Sequence, residues 1–370
     1  MTTPFPPFEL ERFFARYEFR TPFLLSSSDC ETVTVGDLLA LEPDAAERFH
    51  TLALGYTESA GSPALRQEIS RIYSSVTPDE TLVCSGAEEG IFLFMHAALK
   101  PSDHVIVQTP CYQSLCTLPG GIGCEVAEWR GRDENGWHWD MDDLRRLVRP
   151  QTRALILNAP HNPTGALFPR ADFDAICDLA ARHGILLFGD EVYRELEYDP
   201  ATRLPAVCDR SESAVSLGVL SKTYGLPGLR IGWVTTRNKA LRERMAQIKD
   251  YTTICNSAPS EFLAEIALRH REQLAARNLA IIARNLPLLD AFFARHEARF
   301  AWRKPAAGSI AFPRFRAGGV RAFCEDAAER VGVLLLPGDV YDAPDYFRVG
   351  FGRRNMPEAV ARLEAFLMGG

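Results

Sequence analysis

The sequence predicts an α/β protein in which a large domain is built on a mainly parallel, seven-stranded sheet covered by helices, with a smaller α+β domain drawn from both ends of the chain. Three observations carry this reading. Seven apolar runs of four to seven residues recur between residues 81 and 234, separated by stretches of helical periodicity. Strands so uniformly apolar are buried on both faces, as in parallel sheets sandwiched by helices. Beyond Trp233 the pattern turns helical and then mixes strands with helices. At 370 residues the chain also exceeds the roughly 250 to 300 at which single cores tend to split. The expected division is residues 46–284 for the large domain, with residues 1–45 and 285–370 forming the small one.

Each element has a local reason. Residues 8–17 read as an amphipathic helix, followed by a short extended segment, 19–25, and a polar stretch, 26–31. A helix over 63–73 carries Pro63 in its first turn, where proline costs no hydrogen bond. Strands are expected at 81–84, 103–108, 123–129, 154–157, 185–188, 214–220 and 231–234. Helices are expected between them at 87–99, from an Asp140 cap to 148, and at 168–183. A helix over 239–249 precedes a long helical pattern over 261–296. The tail offers strand-like 310–315, 333–336 and 346–351, a helix over 320–331 and a last helix from Pro357. No internal repeat or low-complexity segment shows.

Composition sets outer bounds. Hydrophobic content of 46% and charged content of 24% suit a globular protein. A net charge of −7 without a basic stripe argues against nucleic acid or an anionic membrane as a partner. The first ten residues have neither a charged nor an apolar leader region, and no window reaches the about 18 apolar residues of a membrane span, so a cytoplasmic protein is expected. Nine cysteines show no Cys-x-x-Cys pair and no Cys/His cluster; reduced, mostly buried thiols are expected rather than disulfides or a metal site.

The chemistry-bearing residues fall at the carboxyl ends of the expected strands, where active sites of such sheets gather. Lys222, in Ser221-Lys222-Thr223-Tyr224-Gly225-Leu226-Pro227-Gly228-Leu229-Arg230, follows an apolar strand. Hemmed in by Val219, Leu220 and a glycine-rich turn, its ammonium is poorly hydrated and its amine is available as a nucleophile. Ser85-Gly86-Ala87 opens a helix, so backbone N–H groups and the helix dipole can face an anion. Asn162 lies in the rigid turn Asn158-Ala159-Pro160-His161-Asn162-Pro163-Thr164-Gly165. Asp190 ends the strand before Glu191, and Tyr193 follows three residues on. Singly, each could be a cap, an Asx turn or a surface charge. Together, a carboxylate, an amide, a phenol, an amine and a guanidinium delivered by successive strand ends suit an aromatic, phosphorylated aldehyde cofactor.

From about Gly55 to Arg348 this set resembles the fold-type I pyridoxal-phosphate enzymes of the class I/II aminotransferase superfamily. The resemblance implies pyridoxal 5'-phosphate as cofactor, with Lys222 as the Schiff-base lysine that shuttles the Cα proton and Asp190 as the acid partner of the pyridine nitrogen. Asn162 and Tyr193 become donors to the phenolic oxygen, and Tyr112 the ring stacked on the pyridine. Arg230 resembles the phosphate-clamping arginine, aided by backbone N–H groups at Ser85, Gly86, Ala87 and Glu88. Arg348, with Asn162, resembles the residues that bind the substrate α-carboxylate. Tyr56 matches a tyrosine that reaches the phosphate of a neighbouring subunit, which implies a homodimer with shared sites. Two positions depart from the pattern. Val219 stands where a hydroxyl usually meets the phosphate, so either Ser221 compensates or the phosphate grip has one donor fewer, and Glu88 replaces a neutral polar residue, which leaves it a backbone role only.

Transamination between an L-amino acid and a 2-oxo acid is the expected reaction. The amino-terminal Phe8-Glu9-Leu10-Glu11-Arg12-Phe13-Phe14 and the Lys222 segment are also similar to capreomycidine-synthase-like enzymes, so β-elimination or ring closure is the alternative. A cofactor-sensing regulator is a third class, for which the roughly 50 residues before Tyr56 are too few and insufficiently basic. Thr252 occupies the neighbourhood where dicarboxylate-selective relatives present an arginine. Asp250 or Glu18 is the candidate reader of a polar or cationic side chain, against the alternative of a structural ion pair with Lys249 or an arginine.

Overall fold

The computed structural model describes residues 5–134 and 136–369. The first four residues of the segment examined for a leader, and Gly370 of the expected small domain, lie outside the described residues. Seven strands form the main sheet: β1 (Thr81–Cys84), β2 (His104–Thr109), β3 (Glu125–Arg130), β4 (Thr152–Asn158), β5 (Leu186–Asp190), β6 (Ala214–Val219) and β7 (Gly232–Thr235), in the order β1-β7-β6-β5-β4-β2-β3. Strands β3, β2, β4, β5 and β6 run parallel, and β7 lies antiparallel to both β6 and β1. Every residue of β5 and β6 is buried, as their unbroken apolar runs require. Edge strand β3 instead carries Glu125, Glu128 and Arg130, which blunts it against pairing with another chain.

Helices Gly86–Ala98, Gln113–Ile122 and Arg170–His183 connect strands and cover the sheet. Asp140 caps helix Met141–Leu147 as expected, its carboxylate accepting from the N–H groups of Asp142 and Asp143. The long pattern over 261–296 is two helices, Ala258–Arg269 and Arg271–Arg295, broken at His270, whose backbone (φ −109°, ψ 22°) leaves the helical region. Beyond it a three-stranded sheet sets Phe347–Gly350 between Leu336–Pro337 and Ile310–Ala311. The expected extended segment 19–25 is not a regular strand; it makes one bridge, Phe23 to Val333. Its backbone still ties the chain start to this second sheet, through Leu334 N–H to Phe23 O at 2.8 Å and Gly350 N–H to Leu25 O at 2.9 Å.

All nine cysteines are free thiols. Among the described residues no helix is long and apolar enough to cross a membrane.

Candidate active site

Sheet register places the first site residues. Asn158 and Asp190 are paired at the carboxyl ends of β4 and β5, and Lys222 follows three residues after β6 ends. A cavity of about 220 Å³ opens there, and helix Glu9–Tyr17 forms its opposite wall through Leu10, Glu11 and Phe14. Asp190, Tyr193, Lys222, Asn162, Tyr112 and Arg348 all line it, as do Ala87, Glu88, Ser221 and Arg230. A larger groove of about 680 Å³ beside Cys111 and Trp137 contains none of the expected site residues.

The loop carrying Lys222 leaves β6 and returns along β7. Leu220 N–H donates to Ile231 O at 3.0 Å, and Leu226 N–H to Leu220 O at 3.1 Å, so the loop closes on itself. Gly225 adopts φ +69°, and a Cβ there would stand 2.6 Å from Glu31 O, which leaves glycine as the fitting residue. Asn278, fully buried on the long helix, donates to Thr223 O at 2.8 Å and fixes the turn. Lys222 Nζ donates to Ser28 Oγ at 2.8 Å. Burial lowers the pKa of its ammonium below the usual lysine range, Arg348 and Arg230 adding to the effect and Asp29 and Asp190 opposing it.

Two buried groups in this cavity lack what their chemistry asks for. Asp190 accepts one hydrogen bond, from Val192 N–H at 3.2 Å, and burial pushes its carboxyl up to about 7. Tyr193, 1% exposed, leaves its Oη without a hydrogen-bond partner. A buried hydroxyl in that state costs on the order of 1–3 kcal/mol until something meets it. Asn158 fixes both neighbours, donating from Nδ2 to Asp190 O at 2.9 Å and accepting from Asn162 N–H at 2.6 Å. Burial also raises the Tyr112 phenol, whose ring packs on Phe8 with centroids 5.2 Å apart.

An anion would find its donors at the start of helix Gly86–Ala98. Gly86 has φ +80°, and a Cβ on it would stand 2.4 Å from Arg230 Nη2, so the guanidinium rests directly over the helix N-terminus. Ser221 and Val219 face the cavity from the β6 end. The Glu88 carboxylate accepts from Ser114 Oγ at 3.1 Å, and burial pushes it up to about 7.

Arg348, 2% exposed, is held by neutral groups. Its Nε and Nη2 donate to Ser26 O at 3.1 and 2.9 Å, and its Nη1 to Tyr341 Oη at 2.5 Å and Asn162 Oδ1 at 3.3 Å. Among the described residues no carboxylate comes within the 4.0 Å of an ion pair with it.

Other expectations fall elsewhere. Ser85 does not line the cavity; its N–H donates to Glu89. Tyr56 is 93% exposed, away from this chain's own cavity. Asp250 accepts from Ser59 Oγ at 3.4 Å and is absent from the cavity wall, while Thr252 is bound to Glu89. Nor does Asp250 pair with Lys249, whose buried amine donates to the carbonyls of Ser59 and Ile254, and Glu18, just past the end of helix Glu9–Tyr17, is likewise absent from the cavity wall. Sequence reasoning missed Ser28, Tyr341, Asn158 and Glu11. The Ser26-Ser27-Ser28-Asp29 run was a visible signal for the first; Tyr341 and Glu11 reach the site only through tertiary packing.

Fold and site together define a pyridoxal-phosphate-dependent enzyme of the aminotransferase fold. The family described as aminotransferase class I and II matches residues 21–363, and the chain belongs to it; members of that family depend on pyridoxal phosphate. Among individual relatives, capreomycidine synthase of Streptomyces vinaceus is 32% identical over 352 residues, covering 94% of this chain and 89% of that protein. Arginine–pyruvate transaminase of Pseudomonas aeruginosa is 30% identical over 337 residues, covering 83% and 81%. The crystal structure of a pyridoxal-phosphate-dependent aminotransferase from Streptococcus suis superposes with a TM-score of 0.92 at 30% identity, covering 100% of this chain and 99% of that one.

Proposed function

We propose that this enzyme is an aminotransferase that moves an amino group between an L-amino acid and a 2-oxo acid. The observation that carries the reading is one cavity holding a desolvated amine, Lys222, a buried carboxyl without a cation, Asp190, and a buried guanidinium without an anion, Arg348. The unmet demands fit the cofactor. Asp190 suits a protonated ring nitrogen, and Tyr193 with Asn162 suits a phenolic oxygen. Arg230, Ser221 and the N–H groups at Ala87 and Glu88 suit a phosphate. Bound pyridoxal phosphate supplies an electron-withdrawing ring that stabilises the negative charge left when Cα loses its proton.

The chain's own residues do the rest. Lys222 Nζ, its ammonium disfavoured by burial, would hold the cofactor covalently and, once displaced by the incoming amino group, would be free to take and return the Cα proton as base and acid. Asp190 would exchange its burial penalty for a charge pair with the ring nitrogen and so favour its protonated form. The Tyr112 ring lines the same cavity and would be the aromatic face for the pyridine. Arg348 offers the planar fork that receives an α-carboxylate, with Asn162 beside it. Tyr56, exposed on its own chain, serves the phosphate of a second copy, so the working unit is a homodimer.

Transamination is supported by the transaminase among the relatives. Elimination with ring closure is the second reading, favoured by the 32% identity to capreomycidine synthase. A half-reaction separates them: the holoenzyme is mixed with single amino acids, without an acceptor. The pyridoxamine form and a keto acid accumulate if the enzyme transaminates. Release of a side-chain leaving group or ammonia, with the starting spectrum restored, would replace this reading with the second. Lys222→Ala should lose covalent attachment, seen as absence of the cofactor mass on the chain after borohydride reduction.

A further inference from the structure

Tyr341 ends the short helical turn Gly338–Tyr341, buried against Arg348 and outside the wall of the Lys222 cavity. It meets the site only through its hydroxyl, which has one proton to give and two lone pairs to fill. Arg348 Nη1 donates to Tyr341 Oη at 2.5 Å, and the acceptor for the hydroxyl proton among the described residues is Asn162 Oδ1 at 3.3 Å. Burial raises the Tyr341 phenol, although Arg348 opposes, so that proton stays in place. Asn162 Oδ1 also accepts from Arg348 Nη1 at 3.3 Å. Two donors converging on one atom decide which end of the amide it is: an NH2 there would set donor against donor at the guanidinium. The Nδ2 end is thereby turned away. Among the described residues it has no hydrogen-bond partner, although Asn162 lines the cavity.

Arg348 is a poor holder of that amide once a carboxylate arrives. Its Nε and Nη2 each donate to Ser26 O, and its Nη1 donates to Tyr341 and to Asn162, which leaves a single N–H free, on Nη2. A carboxylate gripped by both Nη atoms needs a second N–H from Nη1, and the bond to Asn162, at 3.3 Å the longer of the two there, is the one to yield. Tyr341 would then hold Asn162 Oδ1 alone. We propose that Tyr341 is a positioning residue, whose hydroxyl locks the Asn162 amide with its oxygen toward Arg348 and its NH2 toward the cofactor's phenolic oxygen.

This inference rests on the cofactor placement proposed above, and its test needs no turnover. The readout is the pH midpoint at which the cofactor in the holoenzyme changes colour, set by the proton that its phenolic oxygen shares with the nitrogen joined to Lys222. A donor to that oxygen stabilises its negative charge and so lowers the midpoint. Tyr341→Phe removes the hydroxyl and keeps the ring, whose centroid lies 5.6 Å from that of Phe312. The midpoint should rise by about one pH unit, a tenfold change in proton affinity and the scale of one hydrogen bond to a charged atom. Asn162→Ala should raise it as far, and Tyr341→Phe should add nothing in the Asn162→Ala background, because it acts through that amide. A Tyr341→Phe chain that keeps its cofactor-free melting temperature and its midpoint overturns the proposal, as does an equal rise with and without Asn162. An unchanged midpoint in Asn162→Ala overturns it whether or not Tyr341→Phe folds. The half-reaction judges transamination separately: release of a leaving group there would replace that reading and leave the role of Tyr341 to the midpoints.

Discussion

At the scale of single residues, the site is a set of charges kept apart from their opposites. Arg348 is buried among a carbonyl, a hydroxyl and an amide, none of which neutralises it. Arg348→Ala should therefore retain the bound cofactor and raise the amino-acid KM about 30-fold or more, the loss of a charged hydrogen-bond pair, as read from half-reaction kinetics. Asp190, Glu88 and Glu191 each stand at about 7 because burial disfavours their charge. Their folded values lie above the unfolded ones, so the folded chain holds more protons between about pH 4 and 7. Stability they contribute is complete below the unfolded values and is lost as pH rises through 7. The melting temperature of cofactor-free protein should thus fall from pH 5 to 8. Added pyridoxal phosphate should flatten that fall by supplying Asp190 with a cation, and Asp190→Asn should abolish that flattening.

Among the elements, the start of helix Gly86–Ala98 is where geometry is least forgiving. Gly86→Ala would place a methyl 2.4 Å from Arg230 Nη2 and demand a positive φ of alanine. The variant should lose about 1–2 kcal/mol of stability and bind cofactor about tenfold more weakly, measurable by thermal melting and equilibrium titration. Legibility in the sequence follows the same line. The seven strands are legible because continuous apolar runs leave few alternatives, Lys222, Asp190 and Asn162 because each ends such a run or follows one closely, and Arg230 because it leads directly into the next. Helix Gln113–Ile122 was not, since Pro119, Gly120 and Gly121 within it mimic a loop. The break at His270 was hidden because apolar periodicity continues on both sides without proline or glycine at the joint. Tyr341 stands only seven residues before Arg348, but nothing in the intervening sequence marks the turn that brings its hydroxyl back to the guanidinium, and the serine run around Ser28 does not name its partner, Lys222, which is 194 residues away.

For the whole molecule, the exposure of Tyr56 and the proposed homodimer make a joint prediction. Tyr56→Ala and Lys222→Ala chains, each weak or inactive alone, should complement when unfolded together and refolded, because a hybrid dimer contains one site with both residues intact. Activity should return to about a quarter of wild type, the statistical share for an isologous pair; a mixture that shows only the mean of its parents would place both residues in a single-chain site. We also propose that residues 46–284 and the joined termini, 1–45 with 285–370, behave as two lobes joined by helix Arg271–Arg295; separate expression of residues 46–284 giving a cooperatively melting fragment would support this, and a fragment that stays unfolded would overturn it. Because β7 runs back against β6, the loop bearing both the amine and the guanidinium leaves and rejoins the sheet at the same end of two neighbouring strands, latched by Leu220 and Ile231. It is a self-contained cassette: residues inserted at its exposed Gly228 tip would lengthen a surface turn without re-threading the sheet, while the hydrogen-bonded base stays put.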